Sequence, residues 1–313
     1  MCLQRYKENP LIRPADVPPW QKDFRVVGVF NAGCVQVAGE ILLLLRVAES
    51  PPCGHDEVVA PILRMNAPCG KLDLLRVSRS DPDFEDIDSR VFRYGGQTYL
   101  TSISHLRIAR SRDGRIFSID PSPALHPETP DEEFGVEDPR ITRIDGHYYV
   151  NYTAVSRRGI TTALAVTEDF RMFRRRGLIF APENRDVTIF PERISDQYIC
   201  YHRPSAGILG DSAIWLARSN DLIHWGDHAW VCGPRGAQGW DSLKIGGGAV
   251  PIKTSSGWLA IYHGVDADQR YCLGALLTDL HHPGRVIARS EKPILEPWAP
   301  YERQGFFGQV VFT

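Results

Sequence analysis

Two short patterns recur along the chain, and together they restrict the fold more than any other feature. The first is a strand, a tight turn and a second strand. It occurs at Val29–Arg46, Ser89–Ser104, in the segment from Gly135 to Val155, at Phe190–Arg203 and at Gly247–Gly264. The second reads Ala109-Arg-Ser-Arg-Asp113, Ala165-Val-Thr-Glu-Asp169, Ala217-Arg-Ser-Asn-Asp221 and Ala275-Leu-Leu-Thr-Asp279, with its aspartates 56, 52 and 58 residues apart. A period of roughly 50–60 residues built from short strands is the signature of propeller blades. A blade buries its faces only against its neighbours, so blades must close into a ring. No stretch carries helical periodicity over about 11 residues or more. Five copies predict an all-β chain folded as a single five-bladed β-propeller domain over residues 1–313. Lys292-Pro-Ile-Leu-Glu-Pro297 and Gly308-Gln-Val-Val-Phe-Thr313 echo Asn9-Pro-Leu-Ile-Arg-Pro14 and Val29-Phe-Asn-Ala32, as if a further hairpin began at the C-terminus. Residues 50–72, 78–88 and 121–134 lie outside the pattern and read as loops, where specificity is commonly built.

Composition excludes several classes. A formal net charge of −2 offers nothing to nucleic acid or an anionic membrane surface. The longest apolar run, Ile41-Leu-Leu-Leu-Leu45, is far short of the about 18 residues that a spanning helix needs, and reads as a buried strand. The N-terminus has no apolar signal core, and seven scattered cysteines contain no Cys-x-x-Cys pair. Both fit a reducing cytoplasm rather than export, a disulfide frame or a zinc site. No acidic or histidine cluster has metal-ligand spacing, so no metal is expected.

The chemistry concentrates at Gly135-Val-Glu-Asp-Pro-Arg140. Pro139 is expected to push Asp138 toward an extended conformation, at the mouth of a strand that turns at Asp145-Gly146. An isolated Asp-Pro-Arg is more often a structural ion pair, with Asp138 held by Arg140, than a catalytic group. The adjacent Glu137 would raise the pKa of Asp138 and help it stay protonated. Basic residues stand at strand ends in Asn-Arg185-Asp, His-Arg203-Pro, Ser-Leu-Lys244-Ile and Tyr-His263-Gly. Each alone is more often an ordinary surface or strand-pair charge. Asn31 and Arg46 read as a turn Asn and a strand-end Arg. Tyr262, Trp225, Trp240 and Trp258 stand at strand positions where aromatics are usually core.

Phe-Asn-Ala-Gly, Gly-Val-Glu-Asp-Pro-Arg, Ile-Phe-Pro-Glu-Arg with Tyr-His-Arg-Pro, Asn-Asp-Leu-Ile-His-Trp and Gly-Trp-Leu-Ala-Ile-Tyr-His-Gly-Val follow one another in order. In this the chain, over roughly residues 8–313, resembles glycoside hydrolase family 130, the β-mannoside phosphorylases and their β-1,2-mannosidase relatives. The resemblance implies a five-bladed propeller with the active site in its central funnel. It implies Asp138 as general acid, acting through a mannose hydroxyl, and inversion at the anomeric carbon by inorganic phosphate. Inverting hydrolysis needs a second carboxylate to activate water; phosphate needs only cations to hold it. By motif and spacing these are Arg185, Arg203, Lys244 and His263. Asn31 and Arg46 fall where the family binds the mannosyl unit, with Glu137 and Tyr262 as further substrate contacts. The expected function is phosphorolysis of a β-mannoside to α-mannose 1-phosphate, with phosphate as co-substrate and no other cofactor. Glu192 of Phe-Pro-Glu belongs to the pattern whether phosphate or water attacks. The alternatives are a β-1,2-mannosidase, a non-catalytic sugar-binding propeller and, least of all, a five-bladed furanosidase. Family members associate, so a homo-oligomer is compatible. They also continue past Val-Val-Phe-Thr into a ring-closing hairpin bearing a further sugar-binding Asp, so the first sugar subsite is expected to be incomplete here.

Overall fold

The computed structural model describes residues 3–64, 70–205, 207–236 and 239–313. The chain divides into two compact units. One comprises residues 8–139 and 154–160, the other residues 1–7, 140–153 and 161–313. Strands dominate both, and among the described residues the one α-helix is Pro300–Arg303. Among the described residues no helix is long and apolar enough to cross a membrane.

In the first unit β1 (Arg25–Val37) and β2 (Glu40–Ser50) form a long hairpin. The Ile41–Leu45 run lies in β2, with Leu42, Leu44 and Leu45 buried. β3 (Glu57–Arg64) and β4 (Lys71–Ser78) make a second hairpin, and β5 (Phe84–Asp88), β6 (Val91–Tyr94) and β7 (Gln97–Leu100) a meander. β8 (Ile103–Ser111) pairs with β2 from Glu49↔Ile103 to Ile41↔Ser111, and carries β9 (Ser118–Ile119) on its other edge. β10 (Gly135–Ile144) starts against β8 at Gly135↔Ser104. Val58, Ala60, Ile62, Val77, Phe92, Phe134 and Val155 form one core.

Two of the expected loops are therefore partly strands. Residues 57–64, 71–72 and 84–88 are paired, and 121–134 is irregular apart from a bridge of Leu125 to Leu106 and one turn of 3-10 helix at Pro130–Glu132. Prolines and acidic residues around these segments look like loop composition. Burial of Val58, Ala60 and Ile62 on one face overrides it. Residues 65–69 of the first stretch, with Cys69, and Cys2 lie outside the described residues.

In the second unit Arg140–Ile144 of β10 is followed by β11 (His147–Ser156), β12 (Gly159–Thr167) and β13 (Arg174–Phe180) in one sheet. The β10–β11 turn is Asp145-Gly146, with φ of 48° and 83°, the left-handed pair that a two-residue type I′ hairpin requires. β14 (Asn184–Ile189), β15 (Tyr198–Pro204), β16 (Ile214–Ser219) and β17 (Gly226–Cys232) form a four-stranded antiparallel sheet. β18 (Lys244–Gly247), β20 (Gly257–Val265), β21 (Tyr271–Thr278) and β22 (Val286–Arg289) form the next, with β19 (Ile252–Thr254) on β20. The two C-terminal echoes lie along β21, through Leu273↔Leu295 and Tyr271↔Val310. Phe190, Tyr201, Leu216, Ile245, Trp258, Tyr262 and Leu276 belong to the main core.

The recurring Ala…Asp pattern has one structural job. After β8, β12, β16 and β21 the aspartate Oδ1 accepts the backbone N–H groups of the residues two and three further on. Asp113 takes Arg115 and Ile116, Asp169 takes Arg171 and Met172, Asp221 takes Ile223 and His224, and Asp279 takes His281 and His282. These backbone donors hold the carboxyls of Asp113, Asp169 and Asp279 below the usual range, while at Asp221 the His224 side chain adds the largest share. An aspartate that ties down the turn leaving a strand is thus what repeats.

Candidate active site

In the first unit the acidic motif is built on a backbone irregularity. The β1–β2 register shifts between Phe30 and Gly33, so Asn31 sits in a bulge with φ 50°. Bulges re-aim side chains, and Asn31 Nδ2 donates to Asp138 Oδ1 at 2.8 Å. Arg46, opposite Phe30 on β2, bridges both carboxylates. Its Nη1 lies 2.9 Å from Asp138 Oδ1 and its Nη2 2.6 Å from Glu137 Oε1. The guanidinium stacks 4.7 Å over the Phe30 ring and donates to Ser104 Oγ at 3.3 Å. Burial works against its charge, but Glu137 and Asp138 outweigh burial and raise its pKa.

Asp138 itself has φ 48°. The extended conformation expected ahead of Pro139 is replaced by a left-handed one, which Asp tolerates better than most residues. The bonds from Asn31 and Arg46 hold it there. Such strained residues cluster at functional sites. Arg140 donates to the carbonyl oxygens of Gly248 and, at 2.6 Å, Thr313.

In the second unit Arg203, His263 and Arg185 gather round a carboxylate that sequence reasoning passed over, and Arg185 also pairs with Glu183 at 3.3 Å. Arg185 on β14 stands directly opposite Arg203 on β15. Like charges facing each other across a ladder destabilise it, so an anion belongs between them. Asp186, at φ 57°, supplies one: its Oδ2 accepts Arg203 Nε at 2.6 Å and lies 3.4 Å from His263 Nε2. Burial would raise the Asp186 pKa, but Arg203, His263 and Arg185 drive it far below the usual range. His263 on β20 pairs with Gly246 on β18, where a Cβ would stand 2.2 Å from Asp186 Oδ2; only glycine leaves room for the carboxylate. Lys244 opens β18 with its Nζ 5.0 Å over the Tyr271 ring. Arg185 Nε and His263 Nδ1 are buried without a hydrogen-bond partner among the described residues. The arrangement is a cationic cluster, buried at Arg203 and His263, in which Arg185 Nε still has a hydrogen to donate, and it suits a small oxyanion.

Asn31, Arg46, Glu137 and Asp138 are thus brought together, and so are Arg185, Arg203, Lys244 and His263. Tyr262 joins neither group. It is fully buried, its ring stacks on Trp240, and its hydroxyl donates to Asp241 Oδ2 at 2.8 Å and accepts from Arg289 Nε at 2.9 Å. It offers no exposed face to a sugar. Trp258 is core, Trp225 and Trp240 pack against core clusters, and Glu192 pairs with Lys253 at the surface.

The sequence model of the family described as Glyco_hydro_130, beta-1,4-mannooligosaccharide phosphorylase, matches residues 87–313. The chain belongs to glycoside hydrolase family 130. Within that family it is 47% identical over 318 residues to a beta-1,2-mannobiose phosphorylase of Listeria innocua, covering 100% of this chain and 89% of that protein. The solved structure of the Listeria innocua enzyme with beta-1,2-mannobiose superposes with a TM-score of 0.95, over 98% of this chain and 88% of that one. A second beta-1,2-mannobiose phosphorylase, from Thermoanaerobacter, is 38% identical over 99% of this chain and 88% of its own length. The all-β architecture is that of the family's solved structures.

Proposed function

We propose that this chain is an inverting β-mannoside phosphorylase acting on β-1,2-linked mannobiose or short β-1,2-mannans. Phosphate attacks the anomeric carbon, the bond to the glycosidic oxygen breaks, and the leaving oxygen takes a proton that originates on Asp138, relayed by a mannose hydroxyl. The products are α-mannose 1-phosphate and the shortened sugar. Asn31 and Arg46 orient Asp138 and bind the mannosyl unit, with Glu137 holding Arg46. Arg185, Arg203, Lys244 and His263 bind phosphate, the only co-substrate required. In this reading residues 1–313 fold as a five-bladed propeller with the active site in its central funnel. The five cysteines among the described residues are all free, which supports a cytoplasmic setting.

The observation that carries the proposal is Arg185 opposite Arg203 beside Lys244 and His263. A hydrolase needs a water-activating base, whereas this cluster is cationic and suits a nucleophile that arrives already charged. The 47% identity to a beta-1,2-mannobiose phosphorylase supports the linkage. The test is product analysis of β-1,2-mannobiose turnover with and without inorganic phosphate. Mannose 1-phosphate formed only when phosphate is present is the expected result. Free mannose alone, at a rate independent of phosphate, would make the chain a hydrolase.

A further inference from the structure

Asp186 and His263 form a pair whose hydrogen positions the geometry fixes. His263 Nε2 lies 3.4 Å from Asp186 Oδ2, the oxygen that also accepts Arg203 Nε. A lone pair on Nε2 would face that oxygen's negative charge, so the ring hydrogen belongs there. The imidazole cannot turn away easily. Phe312 packs on it at 4.5 Å between ring centroids and Tyr271 stacks at 6.1 Å. Nδ1 is then left as a lone pair, buried and without a partner among the described residues, on a ring within electrostatic reach of Arg203, Arg140 and Lys244. Burial pushes the His263 pKa down to about 4, with Arg203, Arg140 and Lys244 acting in the same direction against Asp186, so the ring is neutral at physiological pH.

Arg and Lys side chains only donate hydrogen bonds and hold any tetrahedral oxyanion alike. An acceptor among them is different: it rewards an anion that brings its own hydrogen. We propose that the Asp186–His263 pair makes this site selective for a protonated oxyanion, His263 Nδ1 accepting a hydrogen bond from a P–O–H or As–O–H hydroxyl that sulfate lacks. Asp186 is the positioning residue and His263 the one that reads the hydroxyl. The inference rests on the phosphorolysis reading for the identity of the site, but binding tests it separately from turnover. A site built to bond a hydroxyl rejects the analogue lacking it, because its own polar atom is left unpaired.

Calorimetric titration at pH 7 with inorganic phosphate, arsenate and sulfate measures this selectivity. Phosphate and arsenate are expected to bind comparably, and sulfate about tenfold or more weakly. His263→Phe keeps the ring packing on Phe312 and Tyr271 while removing both nitrogens, and should bring phosphate and sulfate to within about twofold. Asp186→Asn should keep the preference, because Arg203 Nε holds the amide oxygen at the shared position and Nε2 still has an acceptor. The nitrogen-15 imidazole spectrum of the unmodified protein, assigned by the signal lost in His263→Phe, should show Nε2 protonated and Nδ1 bare. Equal binding of sulfate and phosphate, a protonated Nδ1, or a preference lost in Asp186→Asn but kept in His263→Phe would each overturn the inference. Absence of phosphate-dependent turnover alongside the expected binding and spectrum would sink the phosphorolysis reading and leave this one standing.

Discussion

The acidic cluster of the first unit and the basic cluster of the second, the two halves of the proposed machinery, are near mirror images in charge. Around Asp138 one guanidinium serves two carboxylates, and the side chains of Arg46, Glu137 and Asp138 keep 15–20% of their surface exposed. Around Asp186 one carboxylate serves several cations, and Asp186, Arg203 and His263 keep only 2–8%. The difference matches two tasks. A proton donor must exchange its proton between turnovers, so it needs access to solvent. An anion-binding cluster gains from exclusion of water, since each charge interaction strengthens as the local dielectric falls. Both halves use the same backbone device, a residue held at positive φ: Asn31 and Asp138 in one, Asp186 in the other.

The hardest test of this contrast is to remove the function of one half and leave the other intact. Asp138→Asn keeps an oxygen for Asn31 and Arg46 but has no proton to give. It should lower kcat on β-1,2-mannobiose about 10³-fold, within the range for loss of general acid catalysis, with phosphate affinity by calorimetry unchanged. A parallel loss of phosphate binding would mean that the halves are not separable in this way. Arg203→Ala cuts the other half. It should raise KM for phosphate by about 10²-fold and lower stability by ~3 kcal/mol, because a buried carboxylate loses its closest cation. Steady-state kinetics with urea unfolding reads both, and an unchanged midpoint would show that Asp186 does not depend on Arg203.

Much of this was legible beforehand because it repeats. The Ala…Asp spacing located four strand ends whose aspartates do the same work, and Asp145-Gly146 located a hairpin through its left-handed pair. The cations could be picked out because each falls, by motif and spacing, on a phosphate-binding position of the family. What escaped depends on long-range register. That Arg185 faces Arg203, and therefore needs Asp186, follows only from pairing β14 with β15. The signal was available in Asn-Arg-Asp, yet a motif read for cations gives an aspartate no role. The conformation of Asp138 escaped for a similar reason: a bulge at Asn31, about a hundred residues earlier, supplies a bond that outweighs the local influence of Pro139. Tyr262 shows the converse, since its motif marks a sheet position and burial then assigns it to the core.

Acid separates the halves by a smaller effect. His263 has a folded pKa of about 4 against an ordinary value of 6.5. Between those values the unfolded chain binds a proton that the folded chain does not, so stability is full above pH 6.5 and falls as pH drops toward 4. His105 and His202, each pushed down to about 3 chiefly by burial, add to the same slope and continue it below pH 4. Urea midpoints measured from pH 7 to 4 should fall steeply. His263→Phe should make that slope shallower by roughly one proton, up to ~3 kcal/mol over the window. An unchanged slope would mean that His263 is not held neutral.

The smallest expected effect comes from outside both halves. Tyr262→Phe keeps the ring against Trp240 and removes a hydroxyl that bonds Asp241 and Arg289. Arg289 Nη2 still reaches Asp241 Oδ2, at 2.5 Å, so the buried carboxylate keeps a cation and the loss is confined to the hydroxyl's own bonds. That is worth about 1 kcal/mol of stability. KM for mannobiose should stay within about twofold, because a fully buried ring has no sugar contact to lose. A KM raised tenfold with stability unchanged would return Tyr262 to the substrate site and show that this part of the core opens when sugar binds.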